Sequence, residues 1–232
     1  MPVIAVLGAR NLGRAILDHF RAGGWDGAAI ARSQASLEGI DALGIQADAS
    51  DPEALRAALA RVRSELGGLD LVVNAVSAAR RTGGAFGGGA LGEATLDDFR
   101  GWGVAVAEQA FVFLSEGGRA LERGGTLVQI TGGSARRAMP GRGLWAAGAA
   151  ATRALTHAAA QEWREAGVHV ALLIVDATID SPKTAAMTRG SAPEATASQE
   201  DVARAVAVLA AQSPRGFTHE LVITPAGDRW LP

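Results

Sequence analysis

The feature that most constrains this chain is a hydrophobic period that keeps switching between two values. Short apolar runs alternate with Ala-, Leu- and Arg-rich stretches in which apolar residues recur every three or four positions. Val3–Leu7 is the first run, and Leu12, Ile16, Leu17 and Phe20 then share one helical face over Leu12–Ala22. Further strands are expected at Ala28–Ala31, Gly44–Ala47, Leu69–Val73, Thr126–Thr131, Val168–Val175 and Glu220–Thr224. Further helices are expected from Pro52 to Leu66, with Asp51 as N-cap and Gly67-Gly68 as stop, and over Leu96–Leu121, Trp145–Ala166 and Gln199–Ala211. A Gly-rich loop, Ser77–Gly92, and a polar Pro/Thr/Ser stretch, Asp180–Ser198, complete the chain. Strands and helices in this alternation build a mostly parallel sheet covered on both faces. No linker or internal repeat divides it, so residues 1–232 read as a single domain of about seven strands.

Composition narrows the chemistry. With 232 residues, 48% of them hydrophobic, the chain can bury one sizeable α/β core. A net charge of −2 gives no basic excess for nucleic acid or a membrane surface. There is no Cys, which removes thiol catalysis, disulfides and Cys-ligated metals, and no Tyr, which removes a tyrosine acid or base. Lys183 is the only lysine, against 21 arginines. The four histidines show no metal-ligand spacing, so no metal is expected. The apolar N-terminal run is short and lacks a basic leader, and later runs are broken by Gly, Arg or Asp; a soluble, cytoplasmic protein is the expectation.

In a doubly wound sheet, ligands sit beyond the C-terminal strand ends. Gly8 ends the first strand and Gly13 opens the first helix, with Arg10, Asn11 and Leu12 between them. Gly8 would permit a tight turn, and Gly13 close helix–strand packing with amides facing a phosphate; an ordinary βα turn is the alternative. After the second strand stand Arg32 and Ser33, with no acidic residue to take a ribose 2′-hydroxyl. Arginine there accommodates a 2′-phosphate, and Arg10 can approach the same group. Asp48, followed by Ala49, can accept from an adenine amino group or serve a turn.

Several segments, in order, resemble the short-chain dehydrogenase/reductase pattern. They are Val6–Ile16 with its two glycines, Ala47–Glu53, and Leu69–Ala75 with Asn74-Ala75 at its end. Gly125–Thr131 through Trp145 to Trp163, Gln199–Ala203 and Thr218–Ile223 continue the series. The resemblance covers nearly the whole chain. It implies a Rossmann-like fold and binding of NADP(H) in preference to NAD(H), through Gly8, Arg10, Asn11, Leu12, Gly13, Arg32, Ser33, Asp48, Ala49, Asn74 and Ala75. It also implies a homodimer or homotetramer, with which the small-sided Trp145–Ala166 helix is compatible. The family loop, TGxxxGxG, is one residue longer than Gly8 to Gly13, has Thr where this chain has Leu7, and has a middle glycine near Asn11. Val175–Asp180 replaces a Pro-Gly turn beside the nicotinamide.

The family's catalytic Ser, Tyr, Lys and Asn fall here on Gly132, Trp145, Ala149 and Val106. Losing a positioned general acid costs roughly 10²–10⁴ in rate, and losing an oxyanion-type donor about 10²–10³ more. Ser134 and Asp176 are the candidate substitutes, with Thr131 beside Gly132; turn roles are the alternative for each. His157 suits packing or an interface better than chemistry, and His19, His169 and His219 fall in scattered elements. Arg80, Arg81, Arg136, Arg137 and Arg142 follow two strands on the binding edge; they would draw a carboxylate, phosphate or acidic carrier, or are solvated loop charges. Arg136, Met139, Arg142 and Trp145 are the expected substrate pocket, with Leu144, Phe86 and Trp102 nearby. Two functions remain open. One is an atypical NADP(H)-dependent oxidoreductase acting on a small organic substrate; the other is a non-redox protein of the same fold, either a regulatory binder or an isomerase or cyclase reusing the pocket.

Overall fold

The structure is a computed structural model that describes residues 1–76, 85–121 and 124–227. Seven strands form one all-parallel sheet: β1 Val3–Leu7, β2 Asp26–Ala31, β3 Leu43–Gln46, β4 Leu71–Asn74, β5 Thr126–Gly132, β6 His169–Val175 and β7 Glu220–Ile223. Their spatial order is β3-β2-β1-β4-β5-β6-β7. The helices are α1 Leu12–Ala22, α2 Pro52–Leu66, α3 Leu96–Phe99, α4 Ala105–Ala120, α5 Gly143–Glu162, α6 Ala185–Thr188 and α7 Gln199–Ala210. The parallel sheet covered on both faces is the one expected from the alternating periods, and its Rossmann-like single-domain form is the one the resemblance implies.

The central strands explain why those runs lack polar alternation. Every residue of β1 is buried. Val3, Ala5 and Leu7 face a layer that includes Leu55 and Leu59 of α2 and Phe113 of α4. Ile4 and Val6 face the opposite layer, with Ile16, Leu17 and Phe20 of α1 and Val202 and Val206 of α7. Helices on both sides leave no solvated face. Order reverses between β1 and β4, so the loops after these strands diverge and open a crevice.

Helix ends follow their local chemistry. The Asp51 carboxylate accepts from the amides of Glu53 and Ala54, Pro52 occupies the first turn, and Gly67 ends α2 at φ +77°. Two expectations need correction. The long helix expected over Leu96–Leu121 is interrupted by a π-helical turn, Arg100–Val104, which buries Trp102. The helix expected at Trp145–Ala166 starts at Gly143 and stops at Glu162; Trp163 packs onto Gly118 of α4, where a Cβ would overlap its indole. The polar stretch after Asp180 also carries helical turns, α6 and Pro193–Ala195. Among the described residues no helix is long and apolar enough to cross a membrane.

Candidate functional site

The loop from β1 to α1 is shaped by sterics at three positions. Gly8 has φ +95°, and a Cβ there would lie 3.3 Å from the Ala75 carbonyl. At Gly13 a Cβ would overlap the Gly8 carbonyl oxygen, so only glycine lets the helix start this close to the strand. Asn11 stands at φ +45°, ψ −115°, backbone that glycine enters freely and a Cβ-bearing residue enters at a cost of about 1–3 kcal/mol. It makes no side-chain cap, and the first turn of α1 holds no acidic residue. By contrast, α2 has Asp51 and Glu53 at its start, and α7 has Ser198, Glu200 and Asp201. The α1 N-terminus is therefore suited to an external anion. Arg10 is exposed beside it.

At the ends of β2 and β3, Arg32 and Ser33 are exposed, and the Arg32 carbonyl accepts from Gln46 Nε2 at 3.0 Å. Asp48 Oδ1 accepts from the Ser50 amide at 2.9 Å and its hydroxyl at 2.7 Å. Burial pushes the Asp48 carboxyl up, but the two Ser50 hydrogen bonds and the Arg32 charge outweigh it, so it titrates below the ordinary carboxylate range. Asp48 thus serves a turn while remaining an anionic acceptor. Ala49 is buried.

A cavity of about 650 Å³ runs from this loop across the sheet edge. Arg10, Asn11, Leu12 and Ala75 line one end; Gly132, Ser134, Met139, Arg142, Trp145 and Asp176 line the other, and Val106 also contributes. Ala149 does not: it is fully buried with Ala135, Leu172 and Ile174. Arg32, Ser33, Asp48, Ala49, Asn74 and Arg136 also lie outside the lining. The Asn74 side chain, expected at a ligand, is buried beneath the cavity and bonded to Gln109 and Gln129.

Trp145 is half-buried and joins an aromatic group. Its ring centroid is 5.9 Å from Trp102, edge to face, and 6.3 Å from Phe86. The Arg142 guanidinium lies 5.3 Å from the Phe86 centroid. Asp176 is gripped through both oxygens by Arg137, with Nη2 3.1 Å from Oδ1 and Nη1 on Oδ2. Its carboxylate lies against Gly133, where a Cβ would overlap it. The expected arginine concentration is therefore partly neutralised: Arg137 is committed to Asp176. Arg80 and Arg81 lie outside the described residues.

Sequence reasoning missed Gln109, Gln129 and Arg137 as a carboxylate partner; all three line the cavity, as does Lys183, the one residue that could serve as a catalytic lysine. Two of these had a signal. Gln109 is three residues beyond Val106, on the same helical face, and Gln129 is a polar residue inside an apolar strand run. The histidines stay away from the cavity lining but are less scattered than expected. At the opposite strand ends His169 is stacked on Phe217 at 4.3 Å and lies 5.9 Å from His219, and His157 pairs with Glu220 at 2.9 Å. No group of three metal-ligating side chains occurs among the described residues.

Residues 8–227 match a family model described as Enoyl-(Acyl carrier protein) reductase. A short-chain dehydrogenase from Burkholderia cenocepacia J2315, solved in complex with NADP, is 29% identical, with 95% of each chain covered and a TM-score of 0.76. A blue fluorescent protein from a metagenomic library, in complex with NADPH, is 26% identical over 97% of this chain and 96% of its own, at TM-score 0.76. A short-chain dehydrogenase from Rhodopseudomonas palustris shares the fold at 23% identity, 97% and 98% coverage and TM-score 0.72. No curated protein matches the chain.

Proposed function

The chain belongs to the short-chain dehydrogenase/reductase family, and on that premise we propose that it is an NADP(H)-binding oxidoreductase whose catalytic set departs from the family's. The observation that carries this reading is the pairing of an uncapped α1 N-terminus, reached over the bare backbone of Gly8, with the exposed Arg32 at the end of β2. The residues present fit the cofactor: the amides of α1 would hold the pyrophosphate and Arg32 the 2′-phosphate, with Arg10 alongside. Asp48 would accept from the adenine amino group. The NADP- and NADPH-bound relatives support this choice.

When bound, NADPH supplies the hydride. The chain's own part is to orient a small organic substrate and to exclude water. Trp145, Phe86 and Met139 offer an apolar wall, and Arg142 and Lys183 offer positive charge for an anionic or carrier-bound substrate. Ser134, which lines the cavity together with Thr131, would polarise a substrate oxygen. Asp176 is poorly suited to be a free base, because Arg137 already bonds both of its oxygens. With Gly132, Trp145, Ala149 and Val106 at the four family positions, such a substrate must need no strong acid from the protein. Exposed Phe111 on α4 and Ala147, Ala150, Ala154 and Ala158 on α5 support a homodimer or homotetramer.

A non-redox use of the pocket competes with this reading. The full burial of Ala149 in an apolar cluster favours it, because the lysine position has become core. Titration calorimetry with NADPH and NADH tests the primary reading. NADPH should bind about tenfold or more tightly than NADH, since one charge-assisted phosphate contact contributes roughly 1.5–3 kcal/mol, and Arg32→Ala should remove most of that preference. Equal affinities defeat the NADP(H) preference, and no binding of either nucleotide favours the non-redox reading.

A further inference from the structure

Below the cavity three buried amides form one hydrogen-bonded cluster. Asn74 is the last residue of β4, Gln129 lies opposite it in the register of β5, and Gln109 comes down from α4. Asn74 Nδ2 donates to Gln129 Oε1 at 2.8 Å and Gln109 Oε1 at 3.1 Å. Gln109 Nε2 donates back to Asn74 Oδ1 at 3.2 Å, and Gln129 Nε2 donates to the Ile130 carbonyl at 2.8 Å. The orientation of every amide follows from one backbone group. The Val76 N–H, 3.2 Å from Asn74 Oδ1, can only donate, so that atom must be the oxygen, and the others follow in turn.

Counting donors exposes a surplus. A side-chain amide carries two N–H groups. Asn74 uses both, but Gln109 and Gln129 each use one on the described residues. These two glutamines, 5% and 3% exposed, are the members of the cluster that line the cavity. A buried N–H without an acceptor is costly, so each calls for a partner in that space. Each Oε1 accepts one bond and keeps a second lone pair, so the cluster offers donors and acceptors together and carries no charge. A hydroxyl, which both donates and accepts, matches that set better than an anion or a carbonyl oxygen.

Position narrows the ligand. In the sheet β4 and β5 lie between β1, whose loop holds Arg10 and Leu12, and β6, which Asp176 follows. We propose that Gln109 and Gln129, held by Asn74, bind the hydroxyls of the nicotinamide ribose. This rests on the NADP(H) reading above.

The test separates the two halves of the cofactor. NADPH and adenosine 2′,5′-bisphosphate, which lacks the nicotinamide ribose, are titrated calorimetrically against the parent, Gln109→Leu and Gln129→Leu. NADPH should bind each variant about three- to tenfold more weakly, as for one or two lost neutral hydrogen bonds, and the bisphosphate should bind all three proteins alike, which also reports that they are folded. Unchanged NADPH affinity in the variants, or equal weakening of both ligands, overturns the proposal and leaves the amides a structural role. Failure of both ligands to bind the parent removes the cofactor reading itself. A variant that does not fold is bypassed from the ligand side: NADPH analogues deoxygenated at the nicotinamide ribose should bind the parent several-fold more weakly than NADPH, and equal binding overturns the assignment.

Discussion

Where β1 turns into α1, a bare-backbone turn meets a helix start without a side-chain cap; where β5 runs toward α5, the proposed reading puts Gly132, Trp145, Ala149 and Val106 in place of the family's catalytic side chains. The difference follows from what each region must do for folding. Gly13 must be glycine because α1 starts against the Gly8 carbonyl, whatever the loop binds. The positions that the proposed reading takes as catalytic share no such packing duty: Gly132 ends β5, Trp145 and Val106 line the cavity, and Ala149 is core. Retained glycines are thus weak testimony for ligand binding, and the exposed Arg32, which no packing requirement demands, is the stronger sign.

The largest expected effect breaks the comparison at its catalytic end. With simple ketones and NADPH, turnover should lie at least about 10³-fold below ordinary members of the family, given the lost acid and donor. Trp145→Tyr should leave that rate unchanged, because position 149, one helical turn on, holds alanine and supplies no cation to lower the phenol pKa from about 10. Adding Ala149→Lys should destabilise the protein by roughly 3–5 kcal/mol, since the ammonium would enter the apolar cluster of Ala135, Leu172 and Ile174. Steady-state assays and thermal melts of the single and double variants check both points. Ketone turnover at ordinary family rates would mean that another acid, with Ser134 the first to replace, has been built into the site.

A smaller effect asks whether Trp145 belongs to the pocket or only to its aromatic cluster. Trp145→Ala should weaken NADPH, or any planar ligand seated there, by about 1–3 kcal/mol through lost apolar contact. Trp145→Phe should retain most of the affinity because a stacking face survives. If both variants bind like the parent, the indole serves the packing against Phe86 and Trp102 alone, and the two ends of the cavity differ even more than their residues suggest.

The fold was legible because buried parallel strands write uninterrupted apolar runs: all seven strands and the five long helical segments can be placed from periodicity. The ends slipped, as at α5, which stops at Glu162, next to the Trp163 that packs on Gly118. Site residues divide by how their signal travels. Arg10 and Trp145, which line the cavity, stand out in the sequence because each has a fixed place in a local motif. Arg137 and Asp176 are 39 residues apart, and Asn74, Gln109 and Gln129 come from three elements. No local pattern announces such a meeting; only the strand order brings them together. Asn74 looked like a ligand contact for the same reason, since its burial depends on a helix 35 residues downstream.

Asn11 offers the finest measure of the comparison, because it tests whether the shortened loop still carries the cost of its shape. At φ +45°, ψ −115° the asparagine backbone is held where glycine belongs, and no cap hydrogen bond from its side chain compensates. Asn11→Gly should relieve about 1–3 kcal/mol of strain and forfeit roughly 0.5–1 kcal/mol of chain entropy. The net gain is about 1 kcal/mol, or roughly 2–4 °C in Tm for a domain of this size. Asn11→Ala should move the other way, since alanine tolerates positive φ less well than asparagine. Calorimetric melts of the three proteins decide the matter. A glycine variant less stable than the parent would mean that the Asn11 side chain holds the loop through contacts of its own, and the nucleotide end would then depend on side-chain chemistry as much as the catalytic end does.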